Sequence, residues 1–508
     1  MLPDRSKLAT FASKPRIFIL TDVLNEPDDS QSLVRYLLYA NEFSTRGICA
    51  CTSSWLRSST HPEEIRRIIT AYGKVVGNLN NHVHPDFQYQ SADELLALVT
   101  SGPTVYGKKA FKAPISEGAR CLLEALTESD EPLYVPVWGG TNTLAQALKH
   151  LAETTSEQDA AHQRAKLRVY AISDQDDTGL WIRTKFPDVH YIVSAHGWCQ
   201  YDQASWIGMN IGAGEGADPT KVLNPWLGKH IRVGEFGSVA YPAVKFGMEG
   251  DTPSFLWLVQ NGLGHQDHIE WGGWGGRYTR PQCESDRDDE EGFDANHFHN
   301  AGDFGVLGAD GKRYSSSRAT IWRWRDAIQD DFAARMEWTL TSDFAKASHP
   351  PVLDVNGSKG VEPLVLKVKP GERHVLDASD TYNPDNNVNG SNDLDYVWML
   401  YGDVNAFHVF GNGPKVIMEG SGGASAQDPK LGENAAGFAQ HVRSQRVTVT
   451  VPEMERHFQT GLVTPDFHIL LQVTNTAGTY PIRRYKRVIF SYIHDGSPVP
   501  LGKEPEGF

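Results

Sequence analysis

Four carboxylic acids fall within eight residues of the run Thr21-Asp22-Val23-Leu24-Asn25-Glu26-Pro27-Asp28-Asp29, directly after the apolar stretch Arg16–Leu20. Carboxylates this dense repel one another. A divalent cation, a polyhydroxylated ligand or a set of backbone N–H groups must offset their charge. One acid here reads as an ordinary helix cap, because Ser30–Leu38 has apolar residues at helical spacing and Pro27 suits a first turn. Four exceed what capping uses, so a site is the favoured reading.

Four more segments carry groups of the same kind. Val137-Trp138-Gly139-Gly140-Thr141-Asn142 is a strand, a Gly-Gly turn and a helix start, whose glycines allow close backbone approach to a ligand. Ile172-Ser173-Asp174-Gln175-Asp176-Asp177 places three acids just past another strand, and Ala195-His196-Gly197-Trp198 follows the next one. Met248-Glu249-Gly250-Asp251-Thr252-Pro253 opens a helical apolar run. Taken singly, each acid is more ordinarily a cap or a solvated loop residue. In one parallel sheet, however, all would converge on the carboxyl edge, where α/β proteins bind ligands. A sixth segment, Trp271-Gly272-Gly273-Trp274-Gly275-Gly276-Arg277-Tyr278, has two equal readings: an exposed aromatic surface for sugar stacking through Trp274 and Arg277, or a tight turn with its rings in the core.

The elements that must position these groups are legible. Arg16–Leu20, Arg46–Thr52, Leu133–Trp138, Leu167–Ile172 and His190–Ser194 read as strands. Pro62–Val76, Ala92–Leu98, Ser116–Thr127 and Asn142–Thr154 read as helices between them. The alternation implies right-handed βαβ units, hence an α/β fold with a mostly parallel sheet flanked by helices. Glu284 to Tyr314 reads as a long polar loop, and Ala319–Leu340 as a last helix. Residues 349–495 then alternate strands with Pro, Gly, Asn and Thr turns, the pattern of an all-β immunoglobulin-like sandwich. The expected domains are 1–345 and 346–508.

Composition narrows the partners. The 508 residues carry a net charge of −15 and show no basic stripe, which argues against nucleic acid. No apolar run is long enough to span a membrane. Thirteen Trp and eighteen Tyr supply aromatic area of the kind that stacks on sugars, although most such rings are simply buried. Five cysteines without CxxC spacing form neither a disulfide scaffold nor a zinc site. Met1–Thr10 has no apolar signal core, so the chain reads as cytoplasmic or as one from which a signal was removed. A homo-oligomer is compatible with all of this.

On the Asp22–Asp29 loop, the Gly-Gly-Thr-Asn turn, Ser173–Asp177 with Gly179 and Trp181, Glu249–Ser254, Trp271–Tyr278 and the later Asp377–Asp385, the sequence resembles the nucleoside hydrolase-like, cellulose-binding proteins of microbes and fungi. The resemblance covers nearly the whole chain. It implies a nucleoside hydrolase-like domain followed by an immunoglobulin-like one, a carbohydrate partner, polysaccharide breakdown and a secreted setting. In nucleoside hydrolases an acidic loop binds Ca²⁺ and orients a water beside the anomeric carbon. By that resemblance Asp22, Asp29, the carbonyl of Thr141 and Asp251 would hold the cation, and Asp28 would contact sugar hydroxyls. Three positions depart: the second early Asp is Leu24, the leaving-group His is Gly250, and the Asn-containing sugar segment is Thr52-Ser53-Ser54-Trp55-Leu56-Arg57.

The expected activity is hydrolysis of a glycosidic bond in a poly- or oligosaccharide, including a furanoside, by attack of one water with inversion. Asp28 is the expected base, and Asp174, Asp176, Asp177 or Glu249 the expected acid. Asn25, Glu26, Trp55, Arg57, Asn142, His196 and Trp198 are expected to bind substrate. Two rival readings are an N-ribosyl hydrolase and a carbohydrate-binding protein without catalysis.

Overall fold

The computed structural model describes residues 4–214, 216–280, 296–385, 393–404, 416–421, 441–456, 463–494 and 496–502. Eight strands form the first sheet: β1 (Arg16–Thr21), β2 (Ser44–Ala50), β3 (Val99–Ser101), β4 (Leu133–Val137), β5 (Leu167–Ala171), β6 (His190–Val193), β7 (Tyr278–Thr279) and β8 (His297–Asn300). Their order is β3-β2-β1-β4-β5-β6-β8-β7. Neighbours run parallel, except for the β7–β8 pair.

Alternate side chains explain why this sheet is covered on both faces. In β1, Ile17 and Ile19 enter one apolar layer with Leu33, Val34 and Leu37 of the helix Pro27–Tyr39. Phe18 and Leu20 enter the opposite layer with Leu122, Leu144 and Leu148. From β1 the chain winds outward to β2 and β3, then returns to lay β4, β5 and β6 on the other side. The order reverses between β1 and β4, and the loops leaving their carboxyl ends must diverge there.

All five expected strands are present, shifted by a residue or two at their ends. The three-residue strand β3 was too short to show a period. The polar stretch read as a long loop contributes β8 to the main sheet and a hairpin, Asp303–Leu307 with Arg313–Ser316; residues 281–295 of that stretch lie outside the described ones. The single last helix is two, Ala319–Trp322 and Arg325–Trp338.

The C-terminal strands form two sheets around one apolar core. One contains Leu364–Val368, Ile482–Tyr492, Phe467–Asn475, Leu394–Leu400 and His441–Arg443, and the other Arg373–Asp377, Arg446–Thr450 and Ile417–Gly420. The strand Ile482–Tyr492 also locks onto the first domain. Arg484 donates to buried Asp331 at 2.7 Å, and Arg487 reaches the carbonyl of Trp271 at 3.1 Å.

Candidate active site: a buried carboxylate pocket

The acidic run lies where β1 hands over to the helix Pro27–Tyr39. Asn25 N–H donates to the Asp22 carbonyl at 3.0 Å, closing a turn that holds Leu24 at φ +72° with its side chain exposed. Glu26 is the helix-capping residue, yet its side chain makes no capping bond, and Asp28 and Asp29 occupy the first turn. The acids are therefore not spent on capping. The helix N-terminus favours negative charge, though its half-unit of positive charge cannot neutralise four acids.

Asp251 arrives from a loop remote in sequence. One oxygen each of Asp28, Asp29 and Asp251 lies within 4.8 Å of the others. These acids, with Asp22 and Glu26, line a cavity of about 250 Å³. Its walls come from the ends of β1, β4 and β5 through Asp22, Trp138, Ile172 and Ser173. The cavity thus opens at the reversal in strand order. Trp206, Tyr201 and Phe246 complete it from the segment after β6.

Asp29 and Asp251 are held by local contacts. Thr21 donates its hydroxyl to Asp29. Trp138 Nε1–H donates to Ser254 Oγ at 2.8 Å, and Ser254 donates to the Asp251 carbonyl at 2.6 Å, so the end of β4 fixes that residue. Oδ2 of Asp251 is buried with no hydrogen-bond partner. A Cβ at Gly139 would come within 2.8 Å of Asp22 Oδ1, and one at Gly140 within 2.5 Å of Asp176 Oδ2. The glycines expected to admit a ligand instead admit carboxylates. A Cβ at Gly250 would lie 3.1 Å from Asp28 Oδ2 and 2.9 Å from the Trp206 ring, which leaves no room for a histidine there.

Burial is the main cause that raises the pKa values of these carboxyls. It pushes Asp22 up to about 6 and, with the charges of Glu26 and Asp22, Asp28 up to about 7. Asp29 is raised well above the usual carboxylate range by burial and the charges of Asp22 and Asp28, Asp251 by burial and the charges of Asp29 and Asp28, and Glu26 by burial. Among the described residues the largest influences on these groups are burial, hydrogen bonds and neighbouring acids, with no cationic side chain among them. The donor set is all oxygen, converging and short of positive charge, which fits a hard divalent cation such as Ca²⁺.

Other expected residues are placed elsewhere. Glu249 is fully buried and paired with Arg35, which reaches Oε1 at 3.0 Å; Tyr241 and Thr252 also donate to it at 2.7 and 2.9 Å. Saturated in this way, it anchors the loop and has no route to a substrate. Asp174 is held by both Nη atoms of Arg183 at 2.8 and 2.7 Å. Asp177 accepts from Lys108 N–H at 2.8 Å at an exposed helix start. Asp176 accepts from the N–H groups of Asn142 and Thr178 at 3.1 and 2.8 Å, so it ties two helix starts together. None of these four lines the cavity. The Thr141 carbonyl accepts the helical N–H of Ala145 at 2.9 Å, and Asn142 Nδ2 is spent on Thr52 and the Val105 carbonyl.

Asn25, Glu26 and Trp55 do line the cavity. Arg57 lies over the Tyr106 ring at 4.7 Å, outside it. His196 backs the wall through Ser173 Oγ at 2.7 Å. Trp274 is buried in the core, and Arg277 is buried against Asp303 at 2.8 Å, so the aromatic-glycine segment takes its core reading. Trp206, Ile207, Asn210 and Phe246 were not anticipated. Trp206 and Ile207 lie in the short 3-10 helix Ser205–Met209, and Asn210 and Phe246 in loops beyond it, so none belongs to an element long enough to show a period.

A strand order that reverses over a pocket of buried acids defines an α/β protein of nucleoside hydrolase-like fold carrying a C-terminal β domain. Residues 16–278 match the family described as "Cellulose-binding Sde182, nucleoside hydrolase-like domain", and residues 374–492 match "Cellulose-binding protein Sde0182, C-terminal domain". The chain belongs to this cellulose-binding, nucleoside hydrolase-like family. It is similar to a solved nucleoside hydrolase-related protein from Saccharophagus degradans that is associated with carbohydrate metabolism, at 27% identity and TM-score 0.72, over 95% of this chain and 100% of that one. An inosine-uridine preferring nucleoside hydrolase from Bacillus anthracis aligns at 16% identity and TM-score 0.22, over 38% of this chain and 71% of that one. No curated protein matches.

Proposed function

We propose that the protein is a glycoside hydrolase whose pocket grips one hydroxyl-rich ring of a plant or microbial poly- or oligosaccharide, and that it works outside the cell. The observation that carries this reading is the convergence of Asp28, Asp29 and Asp251 within 4.8 Å in a cavity walled by aromatic rings. Carboxylates are strong acceptors for sugar hydroxyls, and ring faces suit their C–H surfaces. Family membership and the carbohydrate-associated relative support the substrate class.

Asp28, Asp29 and Asp251 would hold a divalent cation, with Ca²⁺ the favoured ion; when bound it supplies positive charge for sugar hydroxyls and for a water. Asp28 keeps part of its surface open to the cavity, and with the cation holding it as the carboxylate it suits a general base taking a proton from water. Asp22 sits beside it as a second acceptor. With Glu249, Asp174 and Asp177 engaged elsewhere, Glu26 is the remaining acid at the mouth. Its raised pKa suits proton donation to the leaving oxygen.

A panel of glycans and nucleosides, assayed for released sugar with Ca²⁺ and with chelator, tests the proposal. Release from a glycan is expected, and Asp28→Asn is expected to cut it by about 100-fold or more. Release of free base from inosine or uridine alone, or glycan binding without any release, would overturn it.

A further inference from the structure

Of the thirteen tryptophans, Trp55 and Trp198 are the two exposed by more than half, at 53% and 65%. They lie far apart in sequence yet stack on each other, with centroids 5.7 Å apart and planes inclined by 25°. Trp55 is fixed by its indole N–H, which donates to the Tyr201 hydroxyl at 3.0 Å. Both Trp55 and Tyr201 belong to the cavity lining. Phe246, exposed by 64%, stands on the rim as well. Indole surface left in water is unfavourable, and a contiguous aromatic patch on a monomer marks a binding surface.

The patch is continuous with the carboxylate cavity through Trp55, so a chain whose end enters the pocket can continue over it. The cavity takes one small ring and leaves the rest of a chain outside, over the indoles. Even with one divalent cation bound, five ionised carboxyls at the mouth and floor, in a molecule of net charge −15, leave the pocket net negative and disfavour phosphates and uronates. The occupant is therefore neutral and has broad apolar ring faces.

We propose that the exposed Trp55–Trp198 stack forms an aromatic platform against which the sugar rings next to the terminal one pack in a neutral linear glycan, whose terminal ring enters the cavity. This rests on the glycan reading above and adds that chains are engaged by their ends.

Calorimetric titration of the full chain in Ca²⁺ tests it, using one- to four-ring members of the cello-, xylo- and manno-oligosaccharide series, with tri-galacturonate as the anionic probe. In one of the neutral series, affinity is expected to rise about tenfold from one ring to three, the worth of one good aromatic stacking contact. Trp198→Ala, a substitution at an exposed site, is expected to collapse that rise, and Trp198→Phe to restore most of it. Equal affinity for one and three rings in every neutral series overturns the platform. So does a rise that survives Trp198→Ala, tri-galacturonate binding as tightly as the neutral chains, or indole-dependent binding of inosine alone. Sugar release measured in parallel separates the two ideas. A stepwise gain without release sinks the hydrolase and leaves the platform, whereas release without the gain does the reverse.

Discussion

Asp251 shows what the pocket asks of a single residue. Its carboxyl is buried, one oxygen lacks a partner, and its nearest charged neighbours are other aspartates. A group in that position opposes folding unless something positive sits beside it. Asp251→Asn keeps the shape, removes the charge and can donate to the neighbouring carboxylates. It should raise the melting temperature of chelator-treated protein at pH 8 and abolish the Ca²⁺-induced increment, both read by thermal denaturation. A lower melting temperature in chelator would mean that Asp251 is satisfied without a cation.

The same residue scale shows where sequence reading runs out. Asp22, Asp28, Asp29 and Asp251 were legible as a converging set because strand ends are readable from apolar runs and an α/β sheet aligns those ends. The roles of Asp174, Asp177 and Glu249 were not legible. Their partners Arg183, Lys108 and Arg35 stand 9, 69 and 214 positions away, and the sequence does not say which acid has a cation waiting for it. The rim residues from Tyr201 to Phe246 lacked any period to announce them.

At the scale of elements, the helix Pro27–Tyr39 does two jobs. Its first turn carries Asp28 and Asp29, and further along Arg35 clamps Glu249 two residues before Asp251. One rigid element thus sets both halves of the acidic cluster. Glu249 lies at φ +49°, a strained backbone for a residue with a side chain, and the clamp holds it there. Gln31 adds to this by accepting the Glu249 N–H at 3.1 Å. Arg35→Met leaves a buried carboxylate unpaired and should cost about 3–5 kcal/mol in urea unfolding. It should also weaken Ca²⁺ binding although it touches no proposed ligand. Full-strength Ca²⁺ binding in a destabilised Arg35→Met protein would show that the loop keeps its place unaided.

Over the whole molecule, pH pulls in two directions. Raised acids such as Asp22, near 6, and Asp28, near 7, keep their protons when folded and lose them near 4 when unfolded. The unfolded state therefore binds fewer protons between about pH 4 and 7, and these groups make the fold less stable as pH rises through that window. Buried His82 and His297, each depressed to about 4, do the opposite and add stability over about pH 4 to 6.5. An absolute melting curve mixes the two signs. The difference between curves with and without Ca²⁺ isolates the pocket, because the histidines contribute equally to both. That difference should be near zero at pH 5, where protons occupy the acids. At pH 8, with Ca²⁺ at a hundredfold excess over Kd, it should reach about 2.7 kcal/mol, or roughly 3–5 °C at the unfolding entropy of a domain of more than about 300 residues. A Ca²⁺ increment equal at both pH values would place the ion away from the buried aspartates, because only a site that competes with their protons is silenced by acid.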